Sequence, residues 1–224
     1  MDYRSFTAIE FSITTYCQAA CPLCARTNAD TLKTVEWLEL THYNIEDYKN
    51  ILSQIPKAVT RIKLCGDYGD PMMHPDIELF IKETMKYDLK LTMHTNGGLR
   101  DEEWYTKIGN TYGKNVKITF SIDGLDKETN SKYRINVNFN KAWKNMLAYN
   151  AAGGHTAWDF LMFSYNINQV PDAFKIAWKT DIDVYFKLNN RNWKYNITDK
   201  HQIELASKYM YLYIDDYKEL PEIA

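Results

Sequence analysis

Apolar residues recur in six short runs along this chain, and each run is rich in β-branched or aromatic side chains. The runs stand far enough apart to leave room for a helix between each pair, which is typical of parallel β-α units. The pattern predicts six strands, at residues 7–14, 61–64, 90–95, 116–122, 158–165 and 184–188.

The segments between these runs have helical spacing. In residues 75–87, Ile77, Phe80, Ile81 and Met85 share one face, and Pro75 suits the first helical turn. Residues 139–152 repeat the period and stop before two glycines. Further helices are predicted at residues 45–52, 101–108, 171–179 and 200–212.

Six β-α repeats favour an α/β fold of the partial (βα)6 TIM-like barrel type. No linker rich in Pro, Gly or Ser divides the 224 residues. We therefore expect a barrel over residues 1–197, with a helix and tail at 198–224 packed on the same domain. Catalytic groups should lie at the carboxyl ends of the strands.

Composition narrows the class of protein. Apolar residues make up 45% of the chain, which excludes a disordered protein. The net charge of -2 provides no general field for collecting nucleic acid or anionic lipid. Residues 1–15 lack the apolar core of a secretory signal, and no apolar run is long enough to span a membrane. We expect a cytoplasmic protein without a membrane partner.

Three of the four cysteines, Cys17, Cys21 and Cys24, fall in a C-x3-C-x2-C run just after the first predicted strand. Thiolates this close suit a metal site better than a disulfide framework. In a cubane iron-sulfur cluster each thiolate binds a different iron, which here leaves the fourth iron free. The alternative is a zinc site completed by Cys65 or a histidine.

This run, with Leu23 as an apolar residue before the last cysteine, resembles the motif of the radical S-adenosylmethionine (SAM) superfamily. The resemblance implies one [4Fe-4S] cluster on Cys17, Cys21 and Cys24, with SAM on the open iron. It also implies reductive cleavage of SAM to a 5′-deoxyadenosyl radical, which abstracts hydrogen from a substrate. A reductant such as flavodoxin or ferredoxin would supply the electron.

Other strand ends resemble this family too. The segment from Gly66 to Asp70 is similar to one that binds the methionine amino group, with Asp in place of the usual Glu. Ser121-Ile122-Asp123-Gly124, followed by Arg134, resembles the peptide-modifying branch with SPASM or twitch domains, and implies that Arg134 pairs with the methionine carboxylate. The SAM contacts implied in this way are Leu23, Gly66, Gly69, Asp70, Asn96, Ser121, Asp123, Arg134, Asn166 and Leu188.

The substrate is less defined by the sequence. The branch resemblance favours a peptide or protein side chain, and a nucleoside or small metabolite is the alternative. A non-catalytic regulatory protein that binds cluster and SAM, and an activating enzyme for glycyl radicals, also stay open. No cysteine follows Cys65, so we expect no auxiliary cluster. Candidate substrate contacts are Tyr68, His94, Tyr165, Lys187, Arg191 and Trp193.

Overall fold

Six parallel strands form one sheet in the order of the sequence, in a computed structural model that describes residues 6–191 and 193–210. Every neighbouring pair is parallel, and the first and last strands form the two edges of the sheet. The predicted α/β partial barrel is confirmed. The strands are β1 (Ala8–Phe11), β2 (Arg61–Leu64), β3 (Lys90–Thr95), β4 (Val116–Ser121), β5 (His155–Met162) and β6 (Asp183–Leu188).

Helices connect the strands, and each of the six predicted helices is present with ends shifted by a few residues. None of the described helices is long and apolar enough to cross a membrane. The helices are α1 (Ile45–Ser53), α2 (Ile77–Thr84), α3 (Glu102–Tyr112), α4 (Lys127–Ser131), α5 (Phe139–Ala151), α6 (Val170–Thr180) and α7 (Lys200–Met210).

Two helix starts differ from the sequence interpretation. The short helix α4 was not predicted; its N-cap is Asp126, whose carboxylate accepts a hydrogen bond from the Thr129 backbone N–H at 2.7 Å. Helix α2 begins at Ile77, so Pro75 precedes the helix instead of lying in its first turn. There the His74 ring accepts a hydrogen bond from the Asp76 N–H at 3.0 Å. This bond holds the chain outside helical geometry until residue 77.

Strands β1 and β5 also end several residues earlier than the apolar pattern indicates. After Phe11 the chain leaves the sheet, and Thr15 donates its N–H to the carbonyl of Thr41 at 3.0 Å. After Met162 the Asn166 side chain accepts the Phe163 N–H at 2.7 Å and ends β5. At the ends of both β1 and β5, a backbone N–H thus bonds to a loop carbonyl or a side chain instead of to the neighbouring strand. The pattern of apolar residues does not reveal such a change of partner.

The two faces of the sheet differ sharply. Its outer face is apolar and buried under the helices: Ile62, Leu91, Ile118 and Trp158 are all fully buried. The inner, concave face carries polar residues, mainly Lys63, Thr92, Lys117 and His155, which line one cavity. The sheet therefore derives its stability from burial on the outer side and leaves the inner side open for polar chemistry.

Helix α7 packs on the last β-α unit. Its Tyr209 ring lies 5.9 Å from the ring of Phe186 on β6 and 5.9 Å from that of Phe174 on α6. The predicted end of this helix at residue 212, and the tail to residue 224, lie outside the described residues, as do residues 1–5.

Candidate metal and cofactor site

The three motif cysteines follow β1 and line a single cavity of about 280 Å³ at the carboxyl ends of the strands. The loop that carries them is held by its own backbone, since Cys24 donates its N–H to the Cys21 carbonyl at 3.0 Å. Ala20 donates to the carbonyl of Ile135 at 3.0 Å, which ties this loop to the segment after α4.

A buried arginine supports this loop from within. Arg26 is 5% exposed, and its guanidinium donates to the carbonyls of Cys17 at 2.9 Å and Ala19 at 3.3 Å. It also reaches the Thr15 carbonyl at 3.3 Å. The sequence analysis missed Arg26. Its position two residues after Cys24 was the only signal, and that position does not distinguish it from a surface arginine.

The spacing of the sulfur atoms tests which metal the loop fits. In tetrahedral zinc sites with bonds of about 2.3 Å, sulfur atoms lie about 3.8 Å apart. Among the described residues, the one set of three ligand atoms all within 4.8 Å of each other is Glu10, Cys65 and Asp67, not the motif cysteines. A cubane places each thiolate on a different iron and so fits wider spacing. The motif sulfur atoms are therefore not gathered as closely as a closed zinc site requires.

The surroundings of Cys17 and Cys21 favour the protonated form of both thiols. Burial, followed by the nearby Asp70 carboxylate, raises the pKa of the Cys17 thiol to about 12. Burial also raises the pKa of Cys21, although Arg134 opposes the shift. Because thiolates are the form that binds metal, a metal ion held by these cysteines would displace protons, and its positive charge would supply the driving force.

The loop after β2 lies directly on the chain that leads into the cysteine loop. A Cβ atom on Gly69 would stand 2.1 Å from the Thr14 carbonyl oxygen, and one on Gly66 would stand 1.5 Å from the Gly69 carbonyl oxygen. Only glycine fits such close backbone approaches. The two glycines predicted to contact SAM are therefore required by the packing of the loop itself.

Asp70 holds this loop against the end of β3. Its carboxylate accepts hydrogen bonds from the backbone N–H groups of Met72 at 3.0 Å and Asn96 at 2.8 Å. It also accepts from the Thr95 hydroxyl at 3.0 Å and from the Asn96 amide at 2.7 Å. Four donors occupy the carboxylate, so its main task is to join two strand-end loops.

Asp70→Asn should lower the free energy of unfolding by about 1–3 kcal/mol, because the new amide would direct its own N–H group at a buried backbone N–H. Denaturant unfolding measures the effect. The matched control is Asp67→Asn, an exposed acid in the same loop, which should leave stability nearly unchanged. Equal stability of Asp70→Asn and wild type would contradict the proposed role.

Asn96 connects the β3 end to the cysteine loop. Its amide nitrogen lies 3.7 Å from the Cys17 sulfur, and its amide oxygen accepts from the Gln18 side chain at 2.6 Å. The oxygen also accepts the Gly98 N–H at 2.9 Å, which fixes the turn. Asn96 is thus placed to donate toward sulfur or toward a ligand in the cavity.

Arg134 and Asp123 form a buried ion pair at the opposite wall. The Arg134 Nε donates to Asp123 Oδ2 at 2.6 Å, and Asp123 Oδ1 accepts the Leu161 N–H at 2.7 Å. Burial opposes the charge of Arg134, but Asp123 and the Cys21 sulfur outweigh it and hold the arginine pKa above its ordinary value. Arg134 Nη1 lies 3.9 Å from that sulfur, so its outer nitrogens face the cavity.

Six of the ten residues named as SAM contacts line the cavity. These are Gly66, Gly69, Asp70, Asn96, Ser121 and Arg134. The other four are not among its lining residues: Leu23, Asp123, Asn166 and Leu188. Asp123 and Asn166 are fully buried, and the Asn166 amide donates to the Asp123 carbonyl at 2.9 Å. Asp123 and Asn166 therefore pack behind the residues that line the cavity. Leu188, in contrast, is 41% exposed.

The candidate substrate contacts also separate into groups. His94 and Arg191 line the cysteine cavity. Lys187 forms an ion pair with Asp159 at 2.7 Å on the inner face of the sheet. Tyr165 stacks on Phe163 at 5.3 Å, and Trp193 contacts the same ring at 4.9 Å, within an aromatic cluster. Tyr68 contacts the exposed Trp37 at 5.6 Å.

Comparison with solved structures identifies proteins of the same fold. Streptococcus suis SuiB bound to S-adenosylmethionine has a TM-score of 0.73 and 18% identity, over 95% of this chain and 48% of SuiB. Native anSMEcpe with bound AdoMet has a TM-score of 0.69 and 14% identity, over 95% of this chain and 61% of that one. Methylornithine synthase (PylB) has a TM-score of 0.61 and 15% identity, over 92% of this chain and 62% of that one.

This chain therefore spans about half to three fifths of the length of these proteins. Comparison with curated proteins gives no match. A family model described as the radical SAM superfamily matches residues 11–174. That match covers the cysteine loop, the whole of strands β2 to β5 and the start of α6. Since it extends over well more than half of the sequence, the chain belongs to the radical SAM superfamily.

Proposed function

We propose that the chain is an enzyme that uses one [4Fe-4S] cluster and SAM to remove hydrogen from a substrate. One observation carries the proposal. Cys17, Cys21 and Cys24 line the same small cavity as Arg134 and Asn96, so ligands for iron and polar groups for an amino acid face each other. A zinc site would not call for an arginine that lines the cavity 3.9 Å from the Cys21 sulfur.

The residues divide the binding between them. The three cysteines would hold three irons, and the outer nitrogens of Arg134 would take the methionine carboxylate in a charge-assisted contact. Asp70 is occupied by four protein donors. We therefore assign the methionine amino group to the backbone of residues 66–69. When bound, cluster and SAM supply a carbon-centred radical by one-electron cleavage of the S–C5′ bond.

Other residues would hold the cysteine loop and Arg134 in fixed positions. Asp123 fixes the orientation of Arg134, and Arg26 fixes the carbonyls of the cysteine loop. Tyr133 lines the cavity beside Arg134, whose guanidinium lies 5.2 Å from the Tyr133 ring. Such a preorganised wall would keep the cysteine loop and the arginine in position before the cofactor binds.

A peptide or protein side chain is the substrate class that we propose. A further structure of SuiB contains the precursor peptide SuiA. That structure has a TM-score of 0.74 to this chain, and the match covers 46% of SuiB. The Ser121 to Arg134 segment, which resembles the peptide-modifying branch, supports the same class. An external reductant such as flavodoxin or ferredoxin would supply the electron, and the cytoplasm would keep the thiols reduced.

The test is SAM cleavage by anaerobically reconstituted protein. With dithionite as reductant, the protein should release methionine and 5′-deoxyadenosine in equal amounts. The control is the triple variant Cys17→Ala, Cys21→Ala, Cys24→Ala, which should release neither. A fully iron-loaded wild type that binds SAM but releases no 5′-deoxyadenosine would show a non-catalytic regulatory protein instead.

A further inference from the structure

The inner face of the sheet lines a second, larger cavity, of about 600 Å³, which is open to solvent. Its lining residues come from five strands, β2 to β6, and from the turn before β4. The volume lies within the range of about 300–1,000 Å³ that is usual for small-ligand sites. His94 lines both this cavity and the cysteine cavity, so the two meet at that residue.

Positive charge dominates this lining. Six cationic side chains contribute to it: Arg61, Lys63, Lys90, Lys114, Lys117 and Lys187. Three of them have carboxylate partners. Lys63 pairs with Glu10 at 2.8 Å, Lys117 with Asp183 at 3.0 Å and Lys187 with Asp159 at 2.7 Å.

The other three cations have no carboxylate partner among the described residues. Within residues 6–191 and 193–210, no carboxylate oxygen lies within 4.0 Å of a side-chain nitrogen of Arg61, Lys90 or Lys114. The Lys90 ammonium group donates to the neutral side-chain amide oxygen of Asn115. All three residues are exposed, so a cluster of positive charge lies at the open rim of this cavity, in a chain whose net charge is -2.

This arrangement departs from ordinary barrel packing. The interior of a closed (βα)8 barrel is filled with branched apolar side chains, which stabilise the fold. Here the corresponding positions of β2 and β4 carry Lys63 and Lys117 around open space. A concave surface lined mainly by one sign of charge focuses the electric field and concentrates ligands of the opposite sign.

We propose that this basic cavity binds an anionic group of the substrate, either carboxylate or phosphate. The inference rests on the proposed function, since it concerns the substrate of the same site. The three cations without a described carboxylate partner lie at the amino ends of the strands, and the cysteine cavity lies at the carboxyl ends. The two ends of the substrate are therefore recognised by different chemistry.

The strand geometry also gives a distance. Lys90 is the first residue of β3 and His94 is the fifth, so about four residues at roughly 3.3 Å each separate them, about 13 Å in all. The anionic group should stand about this far from the end of the substrate beside the cysteine cavity. In an extended peptide that separation is about four residues. An acidic residue about four positions from the modified one would satisfy it.

The experiment measures binding of two anionic probes to iron-loaded protein by calorimetry. The probes are inorganic pyrophosphate and a tetraglutamate peptide, with tetraglutamine as the neutral reference. At least one anion should bind to wild type, more weakly as salt is raised. Binding of tetraglutamate alone would identify carboxylate as the ligand group, and binding of pyrophosphate alone would identify phosphate.

The decisive variant is Arg61→Gln with Lys90→Gln. It removes two cations without leaving a carboxylate unpaired, and probe affinity should fall at least about tenfold. The control, Lys82→Gln with Lys179→Gln, makes the same charge change on the exposed faces of α2 and α6 and should keep affinity within about twofold. Iron content and SAM cleavage without substrate should equal wild type in both, which separates this test from that of the proposed function.

Three results would overturn the inference. The first is that neither anion binds to wild type, or that tetraglutamine binds as tightly as tetraglutamate. The second is unchanged probe affinity in Arg61→Gln, Lys90→Gln. The third concerns the acidic residues of segment 211–224. If their neutralisation raises probe affinity as much as the cavity variant lowers it, that segment is the ligand of the basic cavity.

Discussion

Cys21→Ala should abolish iron binding and SAM cleavage, whereas Cys65→Ala should preserve both. Cys21 is 7% exposed and lines the cysteine cavity. Because each thiolate of a cubane binds its own iron, the two remaining motif cysteines cannot replace it. Iron and sulfide analysis after anaerobic reconstitution measures the loss, and chromatography of 5′-deoxyadenosine measures turnover. Cys17→Ala and Cys24→Ala should behave in the same way.

Cys65 is the matched control because it is the same residue type near the same strand ends. It lies instead within 4.8 Å of ligand atoms of Glu10 and Asp67. Wild type should contain one cubane per chain, about four iron and four sulfide, and the triple variant should be colourless. Full iron content in Cys21→Ala, or complete loss in Cys65→Ala, would contradict the ligand assignment.

Arg134→Ala should weaken SAM binding about tenfold or more, because it removes a charge-assisted contact to the carboxylate. It should also lower the free energy of unfolding by about 3–5 kcal/mol, since it leaves a buried carboxylate without its cation. That carboxylate, Asp123, is fully buried. Calorimetry on reconstituted protein measures the affinity, and denaturant unfolding measures the stability. Lys132→Ala, a neighbouring surface cation, should change neither by much.

A double variant separates the two effects. In Asp123→Asn with Arg134→Ala no unpaired charge remains, and the new amide oxygen can still accept the Leu161 N–H. Stability should recover in large part, and SAM affinity should stay low. If affinity recovers together with stability, Arg134 acts through the fold and not through contact with the cofactor.

The strands of this chain could be predicted from the sequence because one face of the sheet is buried under helices and the other is not. Runs such as residues 61–64 and 90–95 have the bounds that the sequence predicts, since their alternate residues are buried under helices. The first strand is shorter than predicted because Thr15 hydrogen-bonds to Thr41, far along the chain. Helix α4 escaped prediction because its five residues contain no apolar period.

The cysteine loop could be identified from local spacing, but its supports could not. Asp123 lies in a recognisable segment, yet only the folded chain shows that its side chain points away from the cavity to hold Arg134. Arg26 acts through three carbonyl groups whose convergence depends on the turn of the loop. The direction of a side chain beyond the end of a strand is set by tertiary contacts, and a single sequence does not encode it in any periodic form.

The arrangement of the sheet edges has a consequence for how a long substrate can enter. Among the described strands, β1 and β6 are the two edge strands and do not pair with each other. Hydrogen bonds between strands therefore do not close the barrel around its inner face. A sealed cylinder would accept a polymer only end first. A cleft with a lateral gap can receive a loop or an internal stretch sideways and release it without threading. For the peptide substrate that we propose, modification would then not be restricted to residues near either terminus.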